Sequence, residues 1–273
     1  MASLLTRVAH LADRSVRYLE AGAGQPIILL HAFPLSADQW LPQLARPHAG
    51  WRVIAPDLRG FRGAGPAFEQ RGLDAVRIDD YANDVFELMT HLEIDRAVIG
   101  GLSMGGYVAL AFYKQFHSRV RALVLADTRA QADTEEAKQT RAQQAEKALS
   151  EGMAGIADAM LPKLLTPETV SKRSEIVKFV RDMMLQTKPE GAAAALRGMA
   201  EREDQTAMLP KITVPTLILV GAEDAITPVA DSEKMHHAID NSRLVILDHA
   251  GHVSNLERTQ QFNDELLHFL SQS

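Results

Sequence analysis

Short apolar runs, each bounded by turn residues, recur along the 273-residue chain. They are rich in Val, Ile and Leu and do not alternate with polar residues, which is typical of strands buried on both faces of a parallel sheet. The runs cover residues 26–30, 52–55, 97–100, 122–126, 216–220 and 244–247. Before them, two alternating stretches, 7–12 and 15–19, surround Asp13 and Arg14 and predict a hairpin at the edge of the sheet.

Segments with the helical period lie between these runs. Residues 79–92 place apolar side chains three and four positions apart, and Asp79 and Asp80 stand in the first turn, where negative charge favours the helix dipole. Residues 259–270 form another amphipathic pattern. Alternating strands and helices predict an α/β fold with a mostly parallel, eight-stranded type of sheet and helices on both faces.

The alternation stops between residues 129 and 213. This stretch is rich in Ala, Gln, Glu and Lys, shows several helical patterns, and holds six of the ten methionines. Lys and Arg balance Asp and Glu there at 13 each, so it attracts neither sign of charge. We expect a helical cap, or lid, at 129–213 over an α/β core of 1–128 and 214–273, because such folds keep their sites at the carboxyl edge of the sheet. A plain solvent-facing helical layer is the alternative.

Composition narrows the function classes. The net charge of −6 and the lack of a basic block disfavour nucleic acids and anionic membranes as partners. No apolar run is long enough to span a membrane, and the N-terminal segment is a poor signal peptide. The chain has no cysteine, which excludes disulfides, thiolate metal sites and a cysteine nucleophile. We therefore expect a cytoplasmic protein that acts on a small molecule without a metal or organic cofactor.

The segment GLSMGG, residues 101–106, stands where the run 97–100 ends and an apolar helical pattern begins. A Gly-x-Ser-x-Gly pattern arises by chance in about one chain in ten of this length, so a loop is the bland interpretation. The other interpretation is a serine nucleophile, Ser103, on a strained turn, with Gly101 and Gly105 small because neighbouring backbone comes very close. A serine hydroxyl needs an adjacent base that is oriented by a third group.

Candidates for the acid and the base follow the last two predicted strands, in the order that serine hydrolases on α/β sheets use. After 216–220, Glu223 and Asp224 compete for the acid, and Asp224 opens the turn that ends at Pro228. After 244–247, His249 and His252 compete for the base. We favour Asp224 and His252, because their placement at strand ends lets them converge on Ser103.

A second acid and an oxyanion hole complete the hypothesis. Asp127 ends the run 122–126 and is the fallback acid, or otherwise a structural cap on its loop. The N–H of Met104, at a helix N-terminus, and the N–H of Phe33, in the loop after 26–30, are the expected oxyanion donors. His31 is better interpreted as a structural residue that holds this loop by hydrogen bonds than as a second base.

These motifs together resemble an α/β-hydrolase-fold serine hydrolase, most closely capped carboxylesterases and hydrolases like 3-oxoadipate enol-lactonase. The matching stretches are HAFP at 31–34, DLRG at 57–60, GLSMGG at 101–106, Asp224 in its turn, and Gly251-His252. The resemblance implies Ser103 as nucleophile, Asp224 as acid, His252 as base, and Phe33 and Met104 as oxyanion donors. Two stretches depart from the family: Ala32 stands where glycine is usual, and FRGA at 61–64 replaces a loop that commonly continues with a small or aromatic residue, Gly and Ser.

The predicted reaction is attack of Ser103 on an ester or lactone carbonyl, followed by hydrolysis of the acyl-enzyme. C–C bond hydrolysis or perhydrolysis on the same triad, or slow-turnover ligand binding or signalling, are the alternatives. A nucleotide-binding protein is disfavoured, because no Gly-x-Gly-x-x-Gly follows the first parallel strand. Candidate substrate-binding residues, for which core packing or a surface ion pair is the competing interpretation, are Trp40, Met160, Leu161, Met183, Met184 and Arg129.

Overall fold

A computed structural model describes residues 4–46, 50–62 and 74–272. The departures at Gly63 and Ala64 therefore lie outside the described residues. In the described part, the strands are β1 (Leu5–His10), β2 (Ser15–Gly22), β3 (Gln25–Leu30), β4 (Trp51–Pro56), β5 (Ala97–Leu102), β6 (Val120–Ala126), β7 (Thr216–Gly221) and β8 (Ser242–Leu247).

The strands form one eight-stranded sheet in the order β1-β2-β4-β3-β5-β6-β7-β8. Strand β2 pairs antiparallel with both β1 and β4, and every other pairing is parallel. The predicted edge hairpin and the mostly parallel sheet are thus confirmed. The carboxyl ends of β3, β5, β6, β7 and β8 lie along one edge, which is where the candidate loops begin.

Burial follows a strand's place in the sheet. Every residue of the interior strands β5 and β7 is buried, as their apolar runs predict. Strand β8 is different: Arg243 and Ile246 are exposed, Ile246 at 41%, and only Leu247 is buried. The prediction of burial on both faces was wrong for β8, because an edge strand has a neighbour on one side only.

Helices cover both faces of the sheet. Alternate residues of β5 separate into two apolar clusters, Ile99 with Tyr81 and Phe112 on one face, and Val98 with Phe262 on the other. No helix in the described part is both long and apolar enough to cross a membrane. In the core, the helices are α1 (Leu41–Leu44), α2 (Ile78–His91), α3 (Met104–Phe116), α9 (Val229–Ala238), α10 (Ser254–Glu257) and α11 (Thr259–Leu270).

Residues 129–213, called the helical insertion below, hold α4 (Glu135–Glu151), α5 (Met153–Leu164), α6 (Pro167–Lys172), α7 (Ser174–Leu185) and α8 (Pro189–Ala200). All residues of this range are described, and none belongs to a strand. The Thr187 hydroxyl donates to the Pro34 carbonyl at 3.0 Å, and the Val253 N–H donates to the Leu164 carbonyl at 3.2 Å. The helical insertion therefore contacts the loops after β3 and β8, at the carboxyl edge of the sheet.

Candidate active site

Ser103 occupies a sharp turn between β5 and α3. Its φ of 56° and ψ of −113° are a conformation that non-glycine residues rarely adopt and that costs on the order of 1–3 kcal/mol. The backbone is held there from both sides: the Ser103 N–H donates to the Ala126 carbonyl at 2.9 Å, and the Thr128 hydroxyl donates to the Ser103 carbonyl at 2.8 Å. The side chain is buried but retains 8% exposure at the residue level.

Close backbone approach explains the glycines on each side of Ser103. A Cβ atom on Gly101 would lie 2.1 Å from the backbone of Gly105. A Cβ atom on Gly105 would lie 2.1 Å from the Leu30 carbonyl oxygen. Neither obstacle is a flexible side chain, so the turn requires glycine at both positions.

A hydrogen-bonded chain joins three loops at this edge of the sheet. The His252 Nε2 lies 2.7 Å from the Ser103 Oγ, and the His252 Nδ1 lies 2.8 Å from the Asp224 Oδ2. His252 is 1% exposed and Asp224 is 5% exposed. A buried, oriented imidazole between a hydroxyl and a carboxylate is the arrangement that activates a serine as a nucleophile.

The turn after β7 prepares the Asp224 carboxylate to accept hydrogen bonds. The Oδ1 atom receives the N–H groups of Ile226 at 2.8 Å and Thr227 at 2.9 Å. The Oδ2 atom receives the Thr227 hydroxyl at 2.6 Å. Burial raises the pKa of Asp224, but His252 and these donors outweigh it and hold the pKa below its ordinary value. The carboxylate is therefore ionised and fixes an Nδ1–H tautomer of His252.

The competing acid and base candidates lie elsewhere. Glu223 and His249 are exposed, although Glu223 directly precedes Asp224 and His249 lies three residues before His252. Asp127 is fully buried, yet its Oδ1 accepts the Gly221 N–H at 2.9 Å and its Oδ2 accepts the Ser254 hydroxyl at 2.5 Å. In the described part of the molecule, the hydrogen-bond partners of the His252 Nδ1 are Asp224 and Thr227.

Two backbone amides near Ser103 are available to a ligand. Met104 begins α3, and the first N–H groups of a helix have no partner within it. The N–H of Phe33 donates to no described residue. The Met104 N–H lies at the N-terminus of α3, which favours negative charge, and the Phe33 N–H lies in the loop after β3.

His31 supports the loop that carries Phe33. Its Nε2 accepts the Leu58 N–H at 3.0 Å, which leaves the proton on Nδ1 to be donated to the Ala32 carbonyl at 2.9 Å. Burial lowers the pKa of His31 to about 4, so the ring is neutral near pH 7. These contacts agree with the structural role expected for His31.

The sequence pattern did not predict a buried network of hydrogen-bonded amide side chains. Gln39 accepts the Ala32 N–H at 2.8 Å and donates to the Asn255 side chain at 3.3 Å. Asn255 in turn donates to Gln43, which donates to Asn263 at 2.9 Å. The network links the Phe33 loop to the segment that follows His252. Thr227 was also missed; its only signal is a hydroxyl residue three positions after Asp224 in a tight turn.

The candidate substrate-binding residues have mixed placements. Trp40 is fully buried, with its ring centroid 6.0 Å from that of Phe262 in the sheet's helical layer. Arg129 lies 3.2 Å from the Asp231 carboxylate and also donates to the Ile226 carbonyl, which is the ion pair expected as the competing interpretation. The same apolar cluster as Trp40 contains the buried residues Leu161, Met183 and Met184, while Met160 is only partly buried against it.

No cluster of three or more His, Asp or Glu side chains in the described part could hold a metal ion. The polar side-chain atoms of Ser103, His252 and Asp224 form hydrogen bonds with one another.

Comparisons with known proteins show which family and which solved structures the chain resembles. The family described as alpha/beta hydrolase fold matches residues 25–259. The 3-oxoadipate enol-lactonase 2 of Acinetobacter baylyi is 31% identical over 253 residues, which are 92% of this chain and 91% of the relative. A thermophilic esterase from Thermogutta terrifontis superposes with a TM-score of 0.92 at 36% identity, covering 98% of each chain. The enol-lactonase from Burkholderia xenovorans gives 0.89 at 29% identity, with coverage of 97% and 100%.

Proposed function

The chain belongs to the α/β-hydrolase fold family, and from that premise we propose that it is a serine hydrolase for carboxylic esters or lactones of small to medium acyl groups. The observation that carries the proposal is the hydrogen-bonded chain from Ser103 through His252 to Asp224. An esterase and two enol-lactonases among its relatives support the substrate class.

In the proposed first step, the Ser103 Oγ attacks the carbonyl carbon while its proton moves to the His252 Nε2, 2.7 Å away. Asp224 accepts the Nδ1–H and stabilises the imidazolium that forms. The carbonyl oxygen becomes an oxyanion, which the N–H groups of Met104 and Phe33 stabilise. Loss of one such donor typically costs on the order of a hundredfold or more in rate.

The second half of the reaction reuses the same groups. The imidazolium gives its Nε2 proton to the alkoxide as the alcohol departs, which leaves an acyl ester on Ser103. His252 then takes a proton from water, and the resulting attack on the acyl carbonyl restores the free serine and releases the acid. A lactone follows the same path, except that the alcohol stays attached to the acid.

Uncharged acyl groups suit this site best. Arg129 is the candidate that could anchor a substrate carboxylate, but its guanidinium is already engaged by Asp231 and the Ile226 carbonyl. A carboxylate would have to displace those partners and lose their interaction energy. We therefore propose neutral esters before carboxylated lactones. The cytoplasmic location stays a prediction.

The test is hydrolysis of p-nitrophenyl acetate, butyrate, octanoate and laurate by the wild type and by Ser103→Ala. We expect the wild type to prefer the shorter esters, and the variant to lose roughly three or more orders of magnitude in kcat. Equal thermal unfolding of the two proteins controls for misfolding. Equal, feeble rates in both would overturn the proposal and favour the ligand-binding alternative.

A further inference from the structure

We propose that Glu257 and Thr166 are positioning residues, which hold the loop that carries His252 against the helical insertion. The helical insertion then contributes to the rate of the chemical step and not only to the choice of substrate. This inference rests on the proposed function, since it assigns a role in aligning the proposed base.

Glu257 is a carboxylate in an unusual place. It is 3% exposed, and its two oxygens face different parts of the molecule. The Oε2 atom accepts the N–H of Gly251, the residue directly before His252, at 2.7 Å. The Oε1 atom accepts the N–H and the hydroxyl of Thr166, each at 2.9 Å. One side chain thus joins the His252 loop to the helical insertion.

The Thr166 hydroxyl lies between the Glu257 carboxylate and the first turn of α6. Thr166 caps α6, and its Oγ accepts the Thr169 N–H at 3.1 Å. The hydroxyl of Thr169 also lies 3.1 Å from that oxygen. Because the single proton of the Thr166 hydroxyl is donated to Glu257, the cap of α6 and the support of the His252 loop depend on the same group.

The peptide after His252 is held by the same segment of the helical insertion. The Val253 N–H donates to the Leu164 carbonyl at 3.2 Å. A Cβ atom on Gly251 would lie 3.1 Å from the Leu164 oxygen and 3.2 Å from the Thr166 nitrogen. The residues on both sides of His252 therefore contact residues 164–166 at close range.

The partners of the buried Glu257 carboxylate favour a positioning role and not only a contribution to stability. No Arg, Lys or His side chain in the described part forms an ion pair with the Glu257 carboxylate. A buried carboxylate is costly unless hydrogen bonds satisfy it, and here the three donors come from exactly two segments, 166 and 251. An apolar side chain would fill the space at lower cost but could not fix the separation of those segments.

The experiment compares Thr166→Val, which removes the hydroxyl, with Thr166→Ser, which keeps it. We expect Thr166→Val to lower kcat for p-nitrophenyl butyrate about tenfold with little change in KM, as is common when a group that orients a catalytic residue is lost. Thr166→Ser should recover most of the wild-type kcat. The rate of covalent labelling by a fluorophosphonate should fall in parallel, because it reports the activation of Ser103 without a natural substrate.

The matched control is Thr134→Val. Thr134 caps α4 in the same way, accepting the Ala137 N–H at 3.2 Å, but it is exposed and, among the described residues, forms no hydrogen bond with the His252 loop. Both substitutions remove a helix cap, which costs about 1 kcal/mol of stability. A kcat loss confined to Thr166→Val supports a positioning role. An equal loss of stability in both variants with wild-type kcat in both would overturn it.

Glu257→Gln gives a second measurement that does not depend on the cap. An amide keeps one acceptor but directs N–H groups at a donor, so we expect kcat to fall about 10- to 100-fold with KM changed much less. A wild-type kcat would contradict the proposal. Failure of the proposed function gives a different result from failure of this inference. If the proposed function is wrong, Ser103→Ala keeps the ester hydrolysis. If only this inference is wrong, Ser103→Ala is inactive and the Thr166 variants keep the wild-type kcat.

Discussion

The loops after the neighbouring strands β6 and β7 each hold a buried aspartate, and the two carboxylates have different partners. Asp224, after β7, contacts the His252 imidazole at 2.8 Å. The Asp127 carboxylate, after β6, accepts hydrogen bonds from the Gly221 N–H and from the hydroxyl and N–H of Ser254, none of which titrates. Asp127 thereby ties the end of β7, before Asp224, to the start of α10, after His252.

Their surroundings shift the pKa values of the two aspartates in opposite directions. Burial, and then the nearby Asp224, raise the pKa of Asp127 well above its ordinary value. For Asp224, the imidazole and the Thr227 donors outweigh burial and lower the pKa. An aspartate at a strand end can thus serve the chemistry or the scaffold, and its partners decide which. Substitutions that spare shape but change hydrogen bonding separate the two roles.

The largest effect is expected from Asp224→Asn. The amide keeps the size of the side chain but has only one oxygen that accepts hydrogen bonds, so it no longer fixes the Nδ1–H form of His252. We therefore expect kcat to fall about 10⁴-fold. The measurement is steady-state hydrolysis of p-nitrophenyl butyrate at matched thermal stability. Retention of a tenth or more of the wild-type kcat would show that another group acts as the acid.

Thr227→Val should have a smaller effect on the same carboxylate. It removes the hydroxyl that donates to the Asp224 Oδ2 at 2.6 Å, while the backbone N–H of residue 227 remains. We expect kcat to fall about tenfold, as for other groups that orient a catalytic side chain. Thr227→Ser is the control and should restore the rate; if both variants lose equally, packing and not the hydroxyl is responsible.

Asp127→Asn should leave the chemistry nearly intact. An amide can accept the Gly221 N–H through its oxygen, and its nitrogen can donate to the Ser254 Oγ once that hydroxyl turns its proton away. We expect kcat within about fivefold of wild type and a stability change of about 1 kcal/mol, in line with a retained hydrogen-bond pair. A loss comparable to that of Asp224→Asn would mean that Asp127 takes part in the chemistry.

A different kind of effect, on the pH dependence of folding stability, is expected from His31→Gln. The folded pKa of His31 is about 4, against an unfolded value near 6.5. As pH falls from 6.5 to 4, the unfolded chain binds the proton and the folded chain does not, so folding stability declines by about 3 kcal/mol from this group. The variant should lack that decline in urea unfolding measured across this range. An identical pH dependence in both proteins would contradict a buried neutral imidazole.

Much of the fold was predictable because it follows from apolar patterning. The apolar runs of β5 and β7 are continuous and form interior strands of the sheet. The run of β8 looks the same in sequence but forms an edge strand. An apolar run specifies a strand but not its neighbours, so the exposure of Ile246 could not be read from it. The helical insertion was visible as a break in alternation, but its contacts through Thr166 and Thr187 were not.

Within the site, the structure brings together predicted residues whose position relative to strand ends is distinctive, such as Ser103 and His252. It missed groups that matter through long-range hydrogen bonds. Glu257 stands five residues after His252, with nothing in its sequence neighbourhood to separate it from a surface glutamate. Gln39 and Asn255 are 216 residues apart, and only the folded chain brings them together. Which loop a polar side chain serves depends on partners that sequence spacing does not encode.

The most direct test of the central claim is to trap the acyl-enzyme. The wild type and Ser103→Ala would each be incubated with p-nitrophenyl trimethylacetate, whose bulky acyl group slows the second step, and then analysed by intact-protein and peptide mass spectrometry. We expect one acyl group per wild-type chain, located on Ser103, and none on the variant. An acyl group on another residue, or hydrolysis by the wild type that proceeds equally in Ser103→Ala, would contradict a mechanism through Ser103.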